Sequence, residues 1–278
     1  MPARFALRAC ALAATLMLAA CGTTYQLADI DPDTSGRASA MFQAAASQGA
    51  RKPASDAAAR ARFARVVARI RPVAEGLCRQ ELAGRRNVTC EVDIGVDTKM
   101  KVRNAYFTYA DPAKQRPMVM VTVPLLRDVA NDDELAFVLG HEYGHLIGQH
   151  IQKGEQQAVA GALIMGVIAA AATADNPYAN HDQIISDSMN IGGALGGRAF
   201  SQTYELESDT LGTLITRQAG YDPVKGAHYF ARPAEAKSVN GELSFWGTHP
   251  PDEVRLATVM ATVAQIETQG GIGRKAAP

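Results

Sequence analysis

Apolar residues recur at helical spacing over residues 56–82, where Phe63, Val66, Val67, Ile70, Val73 and Leu77 fall on one face. Asp56 can cap such a helix, and Pro72 inside it predicts a kink or a break. Looser alternation with β-branched residues predicts strands over 87–96, 101–109 and 118–123. A polar start at 128–133 then leads into a strong helix over 134–151. Residues 158–174 are seventeen uncharged positions, mostly Ala, Gly, Ile and Val; the length borders on a membrane span. Their weak hydrophobicity and lack of flanking aromatics favour a buried helix or a flexible lid within the domain. Residues 175–197 read as a loop and 201–218 as a helix stopped near Gly220; mixed helix and loop follow Gly226, and after Thr248-His249-Pro250-Pro251 comes a polar helix to about residue 268. No long internal repeat is visible, and no tandem-helix array follows.

The first twenty residues have a pattern of their own. Arg4 and Arg8 precede an apolar run over 9–20 that only Thr15 interrupts, and the run ends in Leu18-Ala19-Ala20-Cys21. This resembles the lipobox of bacterial lipoproteins, which implies cleavage after residue 20 and acylation, palmitate included, of Cys21. Gly22 after the Cys resembles sorting to the outer membrane, facing the periplasm. The organisation expected is a signal peptide at 1–20, a lipidated N-terminus and flexible tether at 21–55, a domain at 56–268 with an insertion at 155–197, and a tail at 269–278.

Charge and cysteine content narrow the function. The 278 residues carry 28 basic and 28 acidic side chains. Removing residues 1–20 takes away two bases and no acid, which leaves a slightly acidic chain. Nothing here suits phosphate neutralisation, so a nucleic-acid partner is not expected. Four cysteines are too few for a disulfide-dense scaffold. With Cys21 acylated, Cys78 and Cys90 remain as a candidate disulfide in an oxidising compartment, the alternative being two buried thiols.

The chemistry concentrates in His141-Glu142-Tyr143-Gly144-His145. On a helix the two histidines lie about 40° apart, one turn on, so both imidazoles reach one metal. Glu142 beside them suits a base acting on a metal-activated water. The apolar run before the motif turns this face inward. For a third ligand, Gly148 fits a His-x-x-Gly-x-x-His extension, but residue 151 is Ile. His150 falls about 140° from His145 on a continuous helix and reads as an outer-shell or surface residue. Glu205 is the rival: Asp209 follows it on the same helical face, placed to fix the tautomer of a ligating histidine, while Glu207 points elsewhere.

These segments together resemble the gluzincin metallopeptidases of the Ste-type CAAX endoprotease, HtpX and Oma-type family (peptidase family M-forty-eight). The resemblance rests on the run from Leu135 through His145, on Glu205-x-x-Ser208-Asp209, on Asn104-Ala105, and on Thr248-His249-Pro250-Pro251 with Arg255. It implies an α+β, mostly helical zincin domain with a small β-sheet beside the His-Glu-x-x-His helix. It implies one Zn²⁺ per chain on His141, His145 and Glu205, with Glu142 as general base and His249 near the metal as a transition-state or gating group. Asp209, Arg255 and Asn104 would support that shell. The usual family residue at Ser208 is Ala. The CAAX and HtpX members span the membrane several times and this chain shows no comparable spans, so prenyl-protein processing is not expected. The compact lipoprotein members are associated with quality control of misfolded or unassembled envelope and outer-membrane proteins. Protein substrates, a lipid anchor in the membrane and outer-membrane protein assembly machinery are therefore the expected partners. A substrate would run extended beside an edge strand at 118–123, under a lid formed by 158–197. A chaperone-like assembly factor with structural zinc is the competing class.

Overall fold

The computed structural model describes residues 22–47, 51–85, 88–111, 113, 115–174, 176, 178–198, 201–232, 238–239 and 242–276. The expected signal peptide at 1–20 and Cys21 lie outside these residues. The chain divides into two compact units.

The larger unit comprises Tyr25–Gly148 and Glu205–Arg274. Its first helix, α1 (Pro32–Ala46), starts with Asp31 accepting a hydrogen bond from the Thr34 amide and with proline in the first turn. Helix α2 (Asp56–Glu81) buries Val66, Ile70, Ala74 and Leu77. Its cap is Ser55 rather than Asp56, and Pro72 sits inside an unbroken helix. A disulfide joins Cys78 to Cys90, with Cα atoms 5.7 Å apart, fastening the end of α2 to the segment that enters the sheet.

The sheet holds β1 (Asp93–Asp97), β2 (Ala105–Tyr109) and β3 (Pro117–Thr122) in the order β1-β3-β2. The β1–β3 pair is parallel, with Ile94 opposite Val119; β2 and β3 are antiparallel, with Phe107 opposite Val119. The strand expected to lie at the edge, β3, is thus the central one. Its residues alternate in burial but have neighbours on both sides, a fact set by pairing partners distant in sequence. A short helix α3 (Val123–Asp128) leads to α4 (Asp132–Ile147), which packs against α2 and β2.

Helix α4 ends at Gly148, and Gln149 adopts φ 56°. The single helix expected over 134–151 is therefore two helices, because a non-glycine residue in the left-handed region stops the ladder. The next, α5 (His150–Thr173), is paired with α6 (His181–Arg198) in a hairpin belonging to the smaller unit. Two sequence expectations are corrected here. Residues 181–198 are helical rather than a loop: their glycines are contact surface, since a Cβ at Gly192 would meet the Gly161 carbonyl oxygen and one at Gly196 the Gln157 carbonyl oxygen. The apolar stretch of α5 is also largely exposed rather than buried.

Helix α7 (Ser201–Gln218) follows, stopped by Gly220 at φ 78°. The remaining elements are α8 (Pro223–Ala227), β4 (Ser238–Val239), β5 (Glu242–Leu243), α9 (Phe245–Thr248) and α10 (Glu253–Gln269). Helix α1 packs on α10, the Tyr25 amide donates to Glu207 Oε1 at 2.7 Å, and the Tyr25 hydroxyl donates to Glu81 Oε2 at 2.6 Å. The stretch expected to be a flexible tether is therefore docked from Tyr25 and helical over α1. Its Ala- and Ser-rich composition hid the helix, because small side chains give little hydrophobic contrast.

Candidate metal centre

Helix α4 is buried along nearly its whole length, Glu134 to Gly144 included. Asn131 caps it by accepting from the Glu134 amide, and Asp132, Asp133 and Glu134 complement the dipole of its first turn. The helix delivers His141 and His145 to one point, with their Nε2 atoms 3.1 Å apart.

Helix α7 comes unusually close. A Cβ on Gly144 would lie 2.8 Å from both the Cα and the carbonyl oxygen of Ser208. One on Gly212 would lie 2.9 Å from the His141 amide nitrogen, and Gly140 faces Gly212 in turn. These small residues let the α7 carboxylates reach the α4 imidazoles. Glu205 Oε2 lies 3.4 Å from His141 Nε2, and Glu205 Oε1 lies 3.4 Å from His145 Nε2. Asp209 Oδ1 is 2.9 Å from His141 Nδ1. That contact places a proton on Nδ1, donated to the carboxylate, and frees Nε2 as a donor atom. Glu207, by contrast, is wholly buried and accepts the Tyr25 amide, away from the cluster.

Arg255 on α10 holds Asp209 in a two-pronged grip, with Nε to Oδ2 and one terminal nitrogen to Oδ1, both at 2.7 Å. Its other terminal nitrogen lies 3.3 Å from Glu205 Oε2, and its guanidinium stacks over Phe230. His249, at the end of α9, brings Nδ1 to 2.9 Å from Glu205 Oε2 and 3.2 Å from His141 Nε2. Its Nε2 faces Glu142 Oε1 at 3.3 Å. Asn104 stands one step back: its Oδ1 accepts from the hydroxyl of Thr248, the neighbour of His249, at 3.3 Å. Phe230 and Phe245 wall the site, Phe245 lying 4.8 Å from the His249 ring centre and Phe230 5.1 Å from that of His141. Sequence reasoning singled out neither aromatic, because no local spacing ties them to the histidines. His150, read as an outer-shell or surface residue, lies in the smaller unit, buried and stacked on Tyr204 at 4.5 Å.

Burial opposes charge throughout this cluster, and the neighbours override it. Burial disfavours protonated His141, but hydrogen bonds to Asp209 and Glu205 outweigh it and push its pKa up to about 9. Burial also works against ionised Glu205, yet His249 and the Arg255 guanidinium hold it well below the usual carboxylate range. Asp209 is likewise held low against burial, chiefly by Arg255. The site is thus arranged around two anionic carboxylates and a positive charge at its centre, a place a cation takes over from a proton.

The donor atoms of His141, His145, Glu205 and His249 all lie within 4.8 Å of one another. Two imidazoles and a carboxylate are a catalytic zinc set, and tetrahedral bonds of about 2.0–2.1 Å put donors about 3.3 Å apart. The 3.1–3.4 Å separations among His141, His145 and Glu205 match that spacing. Glu142 is almost fully buried beside them, and its Oε1, faced by His249 Nε2, accepts no hydrogen bond from the described residues. The residues present therefore fit a zinc ion.

Known proteins share this layout in sequence. Over 106 residues the chain is 31% identical to the mitochondrial metalloendopeptidase OMA1 of Arabidopsis thaliana, covering 38% of this chain and 19% of that protein. Over 130 residues it is 32% identical to the metalloprotease LoiP of Escherichia coli strain K12, covering 47% and 49%. Over 144 residues it is 29% identical to the beta-barrel assembly-enhancing protease of Yersinia pestis, covering 50% and 29%. The chain thus spans half or less of the length of these curated relatives. The model of Peptidase family M48 matches residues 62–263, well over half of the chain and the whole of the cluster just described, so this protein belongs to Peptidase family M48.

Proposed function

We propose that the protein is a zinc-dependent endopeptidase of the bacterial cell envelope. The observation that carries the reading is Glu142: buried, with Oε1 free of hydrogen bonds from the described residues, next to donors that fit zinc. Zinc held by His141, His145 and Glu205 would supply Lewis acidity and an acidified water. Glu142 Oε1 takes the proton from the attacking water and passes it to the leaving amine. Asp209 keeps the proton of His141 on Nδ1, and Arg255 keeps Asp209 ionised. His249, within reach of both Glu142 and Glu205, is the gating group.

An extended peptide is best received by β2. Of the two edge strands it is the one that packs on α4, and it begins beside Asn104, which accepts from Thr248 next to His249. Main-chain pairing makes little demand on substrate sequence, which suits unfolded polypeptides. The lipobox-like start and the likeness to proteins named metalloprotease LoiP and beta-barrel assembly-enhancing protease support an outer-membrane anchor through Cys21. Misfolded or unassembled outer-membrane proteins are then the substrates.

Glu142→Gln tests the reading. Cleavage of an unfolded outer-membrane protein should fall by about 10²-fold or more while bound zinc stays at one per chain. Wild-type cleavage by the variant would overturn the proposal; undiminished function in cells would favour an assembly factor whose zinc is structural.

A further inference from the structure

Helix α5 carries no charged residue after Glu155. Val159, Leu163 and Val167, spaced by four, are 61%, 54% and 58% exposed, and Ile168 beside them is 53% exposed. A helix that is apolar on every side is normally enclosed by protein or by lipid, and among the described residues of the smaller unit α5 packs on α6, with its other side exposed. Exposure continues onto α6 through Ile191 and Leu195.

Beyond the first two turns of α5, which carry Lys153, Glu155, Gln156 and Gln157, the charged and amide side chains of the hairpin helices lie on α6. Gly192 and Gly196 face α5, whereas Gln183, Asp187 and Asn190 lie more than about 120° away at 100° per residue, and all three are exposed. From Val159 onward the hairpin is therefore amphipathic across its thickness: the outer face of α5 is apolar, with Glu155 marking its polar end, and the back of α6 is polar. By length and composition α5 alone passes for a membrane span. A spanning hairpin, however, would carry Asp187 and Asn190 into hydrocarbon, which is costly. Lying flat keeps them in water.

The start of the chain brings a bilayer to this element. Lys153, in the first turn of α5, donates to the Thr24 hydroxyl at 3.0 Å, and the Lys275 amide donates to the Thr24 carbonyl at 3.0 Å. Three residues before Thr24 stands Cys21, at the end of the apolar run 9–20. Lys153 and Lys275 at that end suit anionic headgroups.

We propose that the α5–α6 hairpin is a lipid-contacting element, lying in the headgroup–acyl boundary of a bilayer with the outer face of α5 immersed and the polar back of α6 in water. Only the placing of the bilayer at the hairpin rests on the envelope reading above; the apolar face does not.

The test uses the chain from residue 21 onward with Cys21→Ser, which removes the acyl chains and keeps every described residue. It is mixed with vesicles of phosphatidylethanolamine and phosphatidylglycerol. The protein should sediment with them, and replacing Val159, Leu163 and Val167 by Ser should weaken binding by at least about tenfold at unchanged helix content. An environment-sensitive dye on Leu163→Cys should brighten on vesicle addition, while the same dye on Asn190→Cys should not. Absence of vesicle binding, equal responses at the two positions, or self-association through residue 163 without vesicle binding would each overturn the proposal. Mass spectrometry of Cys21 in the full chain tests acylation separately, so either idea can fail alone.

Discussion

Replacing Gly144 by alanine puts a methyl group where helices α4 and α7 leave no room. The new Cβ would sit 2.8 Å from the Cα and carbonyl oxygen of Ser208 and 3.1 Å from its Cβ. Carbon contacts are comfortable at about 3.5–4.0 Å, so the helices must part by about 0.7 Å. Two of the three neighbouring atoms are backbone, so no side-chain rotation relieves the clash. Overpacking of this kind costs about 1–3 kcal/mol, offset by up to about 1 kcal/mol from the better helix propensity of alanine. A net loss of about 1–2 kcal/mol is expected. The parting also opens the 3.4 Å approach of Glu205 to His145. Misplacement by about 1 Å costs about 10²-fold in rate, so a fall of about tenfold or more in zinc affinity and peptidase activity should accompany it. Gly76→Ala is the control: it lies in α2 with nothing within 4 Å of the added atom, and should gain about 0.5–1 kcal/mol. Urea unfolding and zinc competition against a fluorescent chelator read both quantities. If Gly144→Ala unfolds no earlier than wild type and binds zinc equally well, the close helix contact does not set the donor geometry.

Three further outcomes are expected. Glu205→Ala should abolish zinc binding measured by mass spectrometry of the metal, while Glu207→Ala should keep the metal and lower the melting temperature, because it strips the Tyr25 amide of its partner. Reduction of the Cys78–Cys90 bridge, which closes a loop of sequence separation 12, should lower unfolding free energy by about 3 kcal/mol in urea titrations; an unchanged midpoint would show that this end of α2 is held by packing alone. Asp132 is held below its ordinary pKa by its hydrogen bonds from Arg65, so its contribution is present above about pH 4 and is lost as pH falls through the lowered value. Asp132→Asn should therefore melt earlier than wild type at pH 7 and together with it near pH 2; a deficit constant across that range would contradict the assignment.

Features with strong local contrast were legible in the sequence. The apolar spacing of α2, the glycine stop of α7 and the one-turn histidine pair all follow from neighbours along the chain. The pairing of Glu205 with Asp209 on one face of α7 follows from the same helical period. What escaped was set by contacts between distant residues or by small side chains. Helix α1 is built from Ala, Ser and Gly, with Ala38 and Ala45 among its buried positions, and Tyr25 docks through a residue 182 positions away. The glycines of α6 looked like loop residues, yet they are the surface on which α5 rests. The central place of β3 depended on β1, which pairs with it from more than twenty residues upstream. Phe230 and Phe245 reach the histidines only through the tertiary fold.

If Cys21 carries the proposed acyl chains, the docking of Tyr25 sets how far the enzyme would work from a membrane. A tether over residues 22–55 would let the peptidase unit roam on the order of 100 Å from its anchor. With Tyr25 fixed to Glu207, two residues along α7 from Glu205, only three residues stand between Cys21 and Tyr25, four chain steps with a reach of about 14 Å. Acylated as proposed, the chain would be a short-leashed enzyme. It would meet polypeptides stalled at the bilayer surface and pass over those free in the surrounding compartment, so that substrate choice would be made by altitude before any side chain is read.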